Sequence, residues 1–136
     1  ALNVAQEVLS YKRFNVILLG GYIRNSSESV VGALAELNLK MFYCDKLFLG
    51  VDSFNVENGL STPSIEEANI NQIMIQRSRK VITVFDSSKV NKRALAYIAG
   101  LDKIDVVVTD EGMDKSMRSQ LKSMDIKVIT VKPDAV

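Results

Sequence analysis

Residues 81–89 have the sequence Val-Ile-Thr-Val-Phe-Asp-Ser-Ser-Lys, the most informative segment for the fold class. Apolar and β-branched residues follow one another without polar alternation and then give way abruptly to polar residues. Such a run is typical of a strand that is buried on both faces, as in a parallel sheet. Similar runs recur along the chain, and we predict strands over residues 14–19, 46–51, 81–85, 105–109 and 127–131.

Amphipathic stretches separate most of these runs. Their apolar residues recur at helical spacing, which predicts helices over residues 29–41, 64–79, 93–99 and 113–124, and a similar pattern marks residues 1–9. Ser64 and Glu67 have the spacing of a capping box, in which a hydroxyl and a carboxylate accept hydrogen bonds from free N–H groups at the helix start. The alternation predicts an α/β fold with a mainly parallel sheet and helices on both faces.

The composition excludes several kinds of chemistry. The chain has 136 residues with no histidine and one cysteine, so it can build neither a histidine-dependent nucleophile nor a histidine-ligated metal site. We therefore expect no metal and no cofactor. A formal charge of +1 is too small for this chain alone to hold a nucleic acid. The single cysteine cannot form an internal disulfide, and no apolar run is long enough to span a membrane, so we expect a cytoplasmic protein.

Polar and glycine residues collect where the predicted strands end. They are Gly20, Gly21, Arg24, Asp52, Gly59, Asp86, Lys89 and Asp110. In open parallel sheets, ligands bind beyond the carboxyl ends of the strands. Aspartates there can accept hydrogen bonds from sugar hydroxyls, and Lys89 or Arg24 can meet a phosphate, while glycines allow close approach. The alternative is local, because aspartate and serine after a strand commonly form turns or cap the next helix.

Several short motifs also follow one another in a definite order. They are Ile17-Leu18-Leu19-Gly20-Gly21 with Arg24, Val31-Gly32, Asp45-Lys46-Leu47-Phe48-Leu49-Gly50-Val51-Asp52, Gly59-Leu60-Ser61, Glu67-Ala68, Asp86-Ser87-Ser88-Lys89, and Ile104-Asp105 through Thr109-Asp110. Each motif is weak alone. The ordered set covers nearly the whole chain and resembles the sensor domain of DeoR-family bacterial transcriptional repressors.

The resemblance implies a Rossmann-like fold similar to ribose-5-phosphate isomerase and CoA transferases. Family members join an N-terminal winged helix-turn-helix to a sensor whose binding of a phosphorylated sugar changes the oligomeric arrangement and loosens the operator complex. The implied ligand-binding residues are the eight named above together with Glu67. We accordingly expect a homo-oligomer, no membrane partner, and contact with operator DNA only through an N-terminal domain.

The family's sensor normally begins with a strand and a Gly-Thr-Thr-type turn just before its first helix. This chain starts within that helix pattern. We therefore expect residues 1–136 to form an N-terminally truncated effector-sensing domain, without the winged helix-turn-helix and without the first strand of the sensor.

Two other functions stay open. Sugar-phosphate isomerisation needs a carboxylate base, for which Glu67 is the candidate, although the Ser64 spacing favours a capping role for it. The isomerase pattern also expects an acidic residue where this chain has Ser53 and a lysine before Gly59, so we expect no enzyme activity and no catalytic residue. A purely structural oligomerisation module with an empty crevice is the remaining possibility.

Overall fold

The computed structural model describes residues 1–132, which contain four α-helices and nine β-strands. The helices are α1 (Leu2–Leu9), α2 (Ala33–Leu39), α3 (Ile65–Gln76) and α4 (Lys115–Ser123). The strands are β1 (Tyr22–Arg24), β2 (Ser29–Val31), β3 (Leu47–Gly50), β4 (Ser53–Asn55), β5 (Gly59–Thr62), β6 (Val81–Val84), β7 (Ala96–Ala99), β8 (Val106–Asp110) and β9 (Lys127–Val131). Short 3-10 turns cover Ser87–Lys89 and Leu101–Lys103.

A four-stranded parallel sheet forms the centre of the fold, with the strand order β3-β6-β8-β9. This confirms the α/β class and the strands predicted near residues 46–51, 81–85, 105–109 and 127–131. The register aligns Gly50 with Val84, Val84 with Val108, and Val108 with Ile129. Because the strands are parallel, their carboxyl ends all meet one edge of the sheet.

The main core lies on one face of this sheet. Leu49 of β3 and Val107 of β8 point into it, because both align with Thr83 of the strand β6 between them. Ile75 of α3 and Leu121 of α4 pack there as well. The helices predicted at residues 64–79 and 113–124 are thus confirmed, with shorter bounds. Helix α1 also forms where the apolar spacing predicted it, although it buries no side chain.

Antiparallel strands accompany the parallel sheet, and the sequence patterns did not predict them. Strands β1 and β2 form a hairpin, and β4, β5 and β7 form a three-stranded sheet. The helix predicted over residues 29–41 is therefore wrong at its start, where Ser29–Val31 is strand β2. Gly32, with a φ of 96°, separates that strand from α2.

The helix predicted over residues 93–99 is wrong, because residues 96–99 form strand β7. The alanines and the leucine of residues 93–99 favour a helix, but β5 supplies an antiparallel hydrogen-bonding partner and α3 packs beside the strand. Ile98 and Ala99 are buried in this arrangement. Tertiary pairing thus overrides local preference, as is common for short apolar segments.

The strand predicted over residues 14–19 is also wrong for the described part of the chain. Ile17 and Leu18 are 68% and 57% exposed, and no strand within residues 1–132 pairs with this segment. A strand is stable only when its backbone groups find partners in a neighbouring strand. The apolar composition of the segment was therefore not sufficient to place it in the sheet.

None of the helices within residues 1–132 combines the length and the apolar character that crossing a bilayer requires.

Candidate functional site

Three aspartates lie in line at the carboxyl edge of the parallel sheet. Asp52 lies two residues beyond Gly50, Asp86 two beyond Val84, and Asp110 two beyond Val108 of neighbouring strands. Neighbouring strands are roughly 4.8 Å apart, so the register brings these positions to adjacent places on one edge. The prediction that the strand ends collect the acidic residues agrees with this topology.

Asp86 and Asp110 accept hydrogen bonds from the backbone just beyond the strands. The Asp110 carboxylate accepts from the N–H groups of Ser87 and Gly112, both at 2.7 Å, and so ties the end of β8 to the turn after β6. Asp86 accepts from the Ser88 N–H at 3.0 Å and caps the short 3-10 turn. Both aspartates thus stabilise turns after strands, which is the alternative to ligand binding. Each carboxylate still has acceptor positions that these contacts do not use.

Hydrogen bonds lower the pKa of both of these carboxyls. The Ser87 N–H, followed by the Ser87 hydroxyl and the Gly112 N–H, lowers the pKa of Asp110. The Ser88 side chain lowers the pKa of Asp86 most, and the nearby positive charge of Lys89 also contributes. Both groups are therefore carboxylates at neutral pH and can only accept hydrogen bonds.

Lys89 lies at the end of the same turn and is half-buried. Among residues 1–132 the ion pairs are Arg24 with Glu67 and Lys103 with Asp102, so Lys89 is not held by a carboxylate there. Its ammonium group keeps all three donors for another acceptor.

Glu67 is the most heavily contacted acidic residue of the site. Its carboxylate forms an ion pair with Nη1 of Arg24 at 2.9 Å and accepts hydrogen bonds from the hydroxyls of Ser27, Ser29 (2.8 Å) and Thr62 (3.1 Å). We call these five residues the Glu67 cluster. The cluster joins the β1–β2 hairpin, strand β5 and helix α3 at one point.

The capping box predicted for Ser64 and Glu67 is half correct. The Ser64 hydroxyl accepts a hydrogen bond from the Glu67 N–H at 3.2 Å, as predicted, and caps α3. The Glu67 side chain turns to Arg24 and the hydroxyls of its cluster instead. Charged and hydroxyl donors from other elements outcompete the backbone N–H at the start of its own helix.

The surroundings of Glu67 hold it in the charged form. Burial, with only 13% of the side chain exposed, by itself raises the pKa of this carboxyl. The hydrogen bonds from the three hydroxyls and the charge of Arg24 outweigh burial, and the pKa lies below the ordinary glutamate value.

Thr62 connects Asp52 to this cluster. Its hydroxyl lies 2.8 Å from Oδ2 of Asp52 and 3.1 Å from Oε2 of Glu67, and its side chain is buried. One hydroxyl hydrogen serves one acceptor at a time, so Thr62 is shared between the two carboxylates. The candidate site therefore extends from the Glu67 cluster through Asp52 to the other two aspartates.

The three predicted glycines have backbone roles. The Gly20 N–H donates to Oδ1 of Asn38 at 2.9 Å. Gly21 has a φ of 144°, and a Cβ there would lie 2.5 Å from the Val31 carbonyl oxygen of the paired strand. Gly59 has a φ of 73°, and a Cβ there would overlap the Ala99 carbonyl. Gly21 and Gly59 are thus required by close backbone approach, which side chains would prevent.

Sequence reasoning missed the hydroxyl groups of Ser27, Ser29 and Thr62. The only signal was the polar character of residues 25–29 and of residues 61–62 after the glycine turn. The three hydroxyls come together only through the β1–β2 hairpin and β5, which the sequence patterns did not predict.

A cleft of about 490 Å³, lined by Arg79, Lys80 and Lys127 among others, lies at the opposite, amino edge of the sheet.

Comparison with known proteins places this chain in one protein family. The family model of the DeoR C-terminal sensor domain matches residues 1–111. A putative aga operon transcriptional repressor of Escherichia coli O157:H7 is 35% identical over 130 residues, covering 96% of this chain and 48% of the relative. The HTH-type transcriptional regulator GlpR of Haloferax volcanii is 35% identical over 114 residues, covering 84% and 45%.

The transcriptional repressor AccR of Agrobacterium fabrum is 34% identical over 112 residues, covering 82% of this chain and 43% of that protein. The chain thus spans about half the length of these curated relatives. The motifs described above and the family match agree, and the chain belongs to the DeoR C-terminal sensor domain family.

Proposed function

We propose that this chain senses a phosphorylated sugar and thereby controls DNA binding by a helix-turn-helix part of the full-length protein. The arrangement at the carboxyl edge of the sheet supports the proposal most strongly. Three aspartates lie two residues beyond aligned positions of β3, β6 and β8, and Lys89 forms no ion pair within residues 1–132. Carboxylates suit sugar hydroxyls, and an ammonium group suits a phosphate.

The residues divide by chemistry. Asp52, Asp86 and Asp110 are the acceptors for sugar hydroxyls, since all three retain free acceptor positions. Lys89 is the first phosphate partner, and Arg24 is the second. We assign Gly20, Gly21 and Gly59 to shaping the backbone near the site, and their hydrogen bond and close backbone contacts support this assignment.

The names of the relatives support the regulatory part of the proposal, because they are transcriptional regulators and repressors. Operator DNA is then contacted outside this chain, whose formal charge of +1 offers no broad basic surface. A metabolite can release the operator only if it binds the DNA-competent and the DNA-incompetent forms with different affinity. We propose that these forms differ in the arrangement of a homo-oligomer.

Calorimetry on the full chain tests the proposed site. A charge-assisted contact from Lys89 to phosphate contributes about 1.5–3 kcal/mol, so Lys89→Ala should weaken binding of a sugar phosphate roughly ten- to a hundredfold. Lys92→Ala is the matched control, because Lys92 lies exposed in the same loop, and it should bind as the wild type does. Equal affinity in the two variants would refute the role of Lys89.

An isomerase function fits the geometry less well. A catalytic base works best with a pKa near the operating pH and with a free lone pair over the substrate. Glu67 instead has a lowered pKa and already accepts three hydroxyls and a guanidinium. We therefore propose a binding domain and not an enzyme, in keeping with the names of the relatives.

A further inference from the structure

We propose that the donors around Glu67 form an oxyanion-binding site that the Glu67 carboxylate itself fills in this structure, and that the phosphate of an arriving ligand replaces it. The proposal rests on the sensing function above and adds how the site is regulated. Glu67 is then an internal competitor for the ligand, and Arg24 is the group for which the two anions compete.

The geometry points to this because the donors converge on one anion from separate parts of the chain. Arg24, Ser27 and Ser29 come from the β1–β2 hairpin, and Thr62 comes from β5. Arg24, Ser27 and Ser29 donate to the Glu67 carboxylate, and the Thr62 hydroxyl is shared between Glu67 and Asp52. A set of one guanidinium and three hydroxyls is what a phosphate group also requires, since phosphate offers several acceptor oxygens in the same small volume.

Arg24 has capacity for a second anion. Its Nη1 holds Glu67, while its Nη2 donates to the hydroxyl of Ser26 at 3.2 Å and to no carboxylate in the described part of the chain. The side chain is 27% exposed, so a ligand can reach it from solvent. A guanidinium can hold a phosphate through two parallel hydrogen bonds, a geometry that its single Nη1 contact with Glu67 leaves unused.

Replacement of the Glu67 carboxylate by phosphate at Arg24 has a structural consequence. Glu67 is a polar link between α3 and the β1–β2 hairpin, and the hairpin turn also accepts a hydrogen bond from α1, from the Leu2 N–H to the Glu28 carbonyl at 2.9 Å. When a phosphate takes the hairpin donors, the hairpin loses its polar link to Glu67 of α3, while the apolar packing of Val31 with Ile70 remains. Binding of phosphate therefore changes the contact between the β1–β2 hairpin and α3.

Inorganic phosphate is the probe, because it separates this proposal from sugar recognition. In Glu67→Ala the donors lose their internal anion, so phosphate at constant ionic strength should raise the midpoint of thermal unfolding by several degrees, about 3–6 °C at tenfold above Kd. Glu66→Ala is the matched control, since Glu66 is the neighbouring exposed acid and, within residues 1–132, its carboxylate accepts a side-chain hydrogen bond from Ser64 and none from the donors of the Glu67 cluster. It should respond to phosphate as little as the wild type does.

A double variant assigns the site to Arg24. Adding Arg24→Ala to Glu67→Ala should weaken the apparent phosphate affinity roughly ten- to a hundredfold. Should Glu67→Ala fail to fold, Glu67→Gln replaces it, and phosphate should then slow hydrogen exchange of hairpin amides in that variant more than in the wild type. Equal phosphate responses of the Glu67 and Glu66 variants, or a response that survives loss of Arg24, would overturn the proposal.

Failure here is distinguishable from failure of the proposed function. A wild-type chain that binds a sugar phosphate through Lys89, with a Glu67 variant indifferent to inorganic phosphate, would retain the sensing function and refute only the exchange at Arg24.

Discussion

The contribution of Glu67 to stability is the most direct physical consequence of its cluster. Glu67→Gln keeps the size of the side chain but removes its charge and turns one acceptor oxygen into a donor. The amide oxygen can still accept from Nη1 of Arg24, now 2.9 Å from Oε2, but the attraction between opposite charges is lost. The amide NH2 would face the hydroxyls of Ser27 and Ser29 on the Oε1 side, and both would have to turn from donors into acceptors. The contacts with Arg24 and with the two serines therefore both weaken.

The size of the effect follows from these two contacts. A hydrogen bond to a charged group contributes about 1.5–3 kcal/mol, and rearrangement of the exposed part of Arg24 recovers some of it. We expect Glu67→Gln to lower the free energy of unfolding by about 2–4 kcal/mol at pH 7. Urea unfolding followed by circular dichroism measures this difference. Glu66→Gln provides the control and should lower the unfolding midpoint far less, since Glu66 is exposed and mainly hydrogen bonds at the start of α3 lower the pKa of its carboxyl.

The pH dependence has a defined sign. The pKa of Glu67 is lowered in the folded chain, whereas in the unfolded chain it returns to about 4.3. The stabilisation is therefore present in full above about pH 4.3 and is lost as the pH falls through the lower, folded value. The difference between the wild type and Glu67→Gln should be constant from pH 7 to pH 5 and shrink below pH 4. A difference that is absent at pH 7, or that does not change down to pH 3, would refute this account of the cluster.

Two further substitutions test the backbone and the hydroxyl around the site. Gly59→Ala should lower the free energy of unfolding by roughly 2–4 kcal/mol, because φ is positive there and a Cβ would overlap the Ala99 carbonyl. Gly50→Ala is the control and should have a much smaller effect, since a Cβ at Gly50 would meet no described atom within 4 Å. Thr62→Val should cost about 1–3 kcal/mol in urea unfolding because two carboxylates lose a buried donor. Thr83→Val should cost less, since the Thr83 hydroxyl contact is long, at 3.4 Å, and a reversed order would contradict the assignment.

The sequence patterns predicted the parallel sheet because its strands are continuous apolar runs, a signal that depends on burial alone. Val81 and Ile82 of β6, for example, are both buried and can be assigned to a strand without knowledge of their partners. The helix prediction that included Ala96–Ala99 was wrong for the opposite reason, because the strand conformation of this segment depends on β5, which is far away in the sequence. The same dependence on partners explains the error at residues 14–19.

The sequence patterns also predicted only the part of the candidate site that depends on local signals. Asp52, Asp86 and Asp110 were predictable, because they follow strands whose positions were predictable. The partnership of Arg24 with Glu67 was not, because it joins residues far apart in the chain through a hairpin that the periodicity did not reveal. Long-range contacts between polar residues leave no periodic signal in a single sequence.

The central claim is that a phosphorylated sugar acts through this chain on DNA binding, and operator release by the full-length protein tests it most directly. Fluorescence anisotropy of a labelled operator would be followed while phosphorylated sugars and their unphosphorylated parents are added. We expect the dissociation constant for the operator to rise roughly five- to 150-fold with at least one sugar phosphate, and not with its parent sugar. In Lys89→Ala the same response should require roughly ten- to a hundredfold more ligand. An operator complex that is indifferent to every sugar phosphate tested, or that responds equally in Lys89→Ala, would contradict the account.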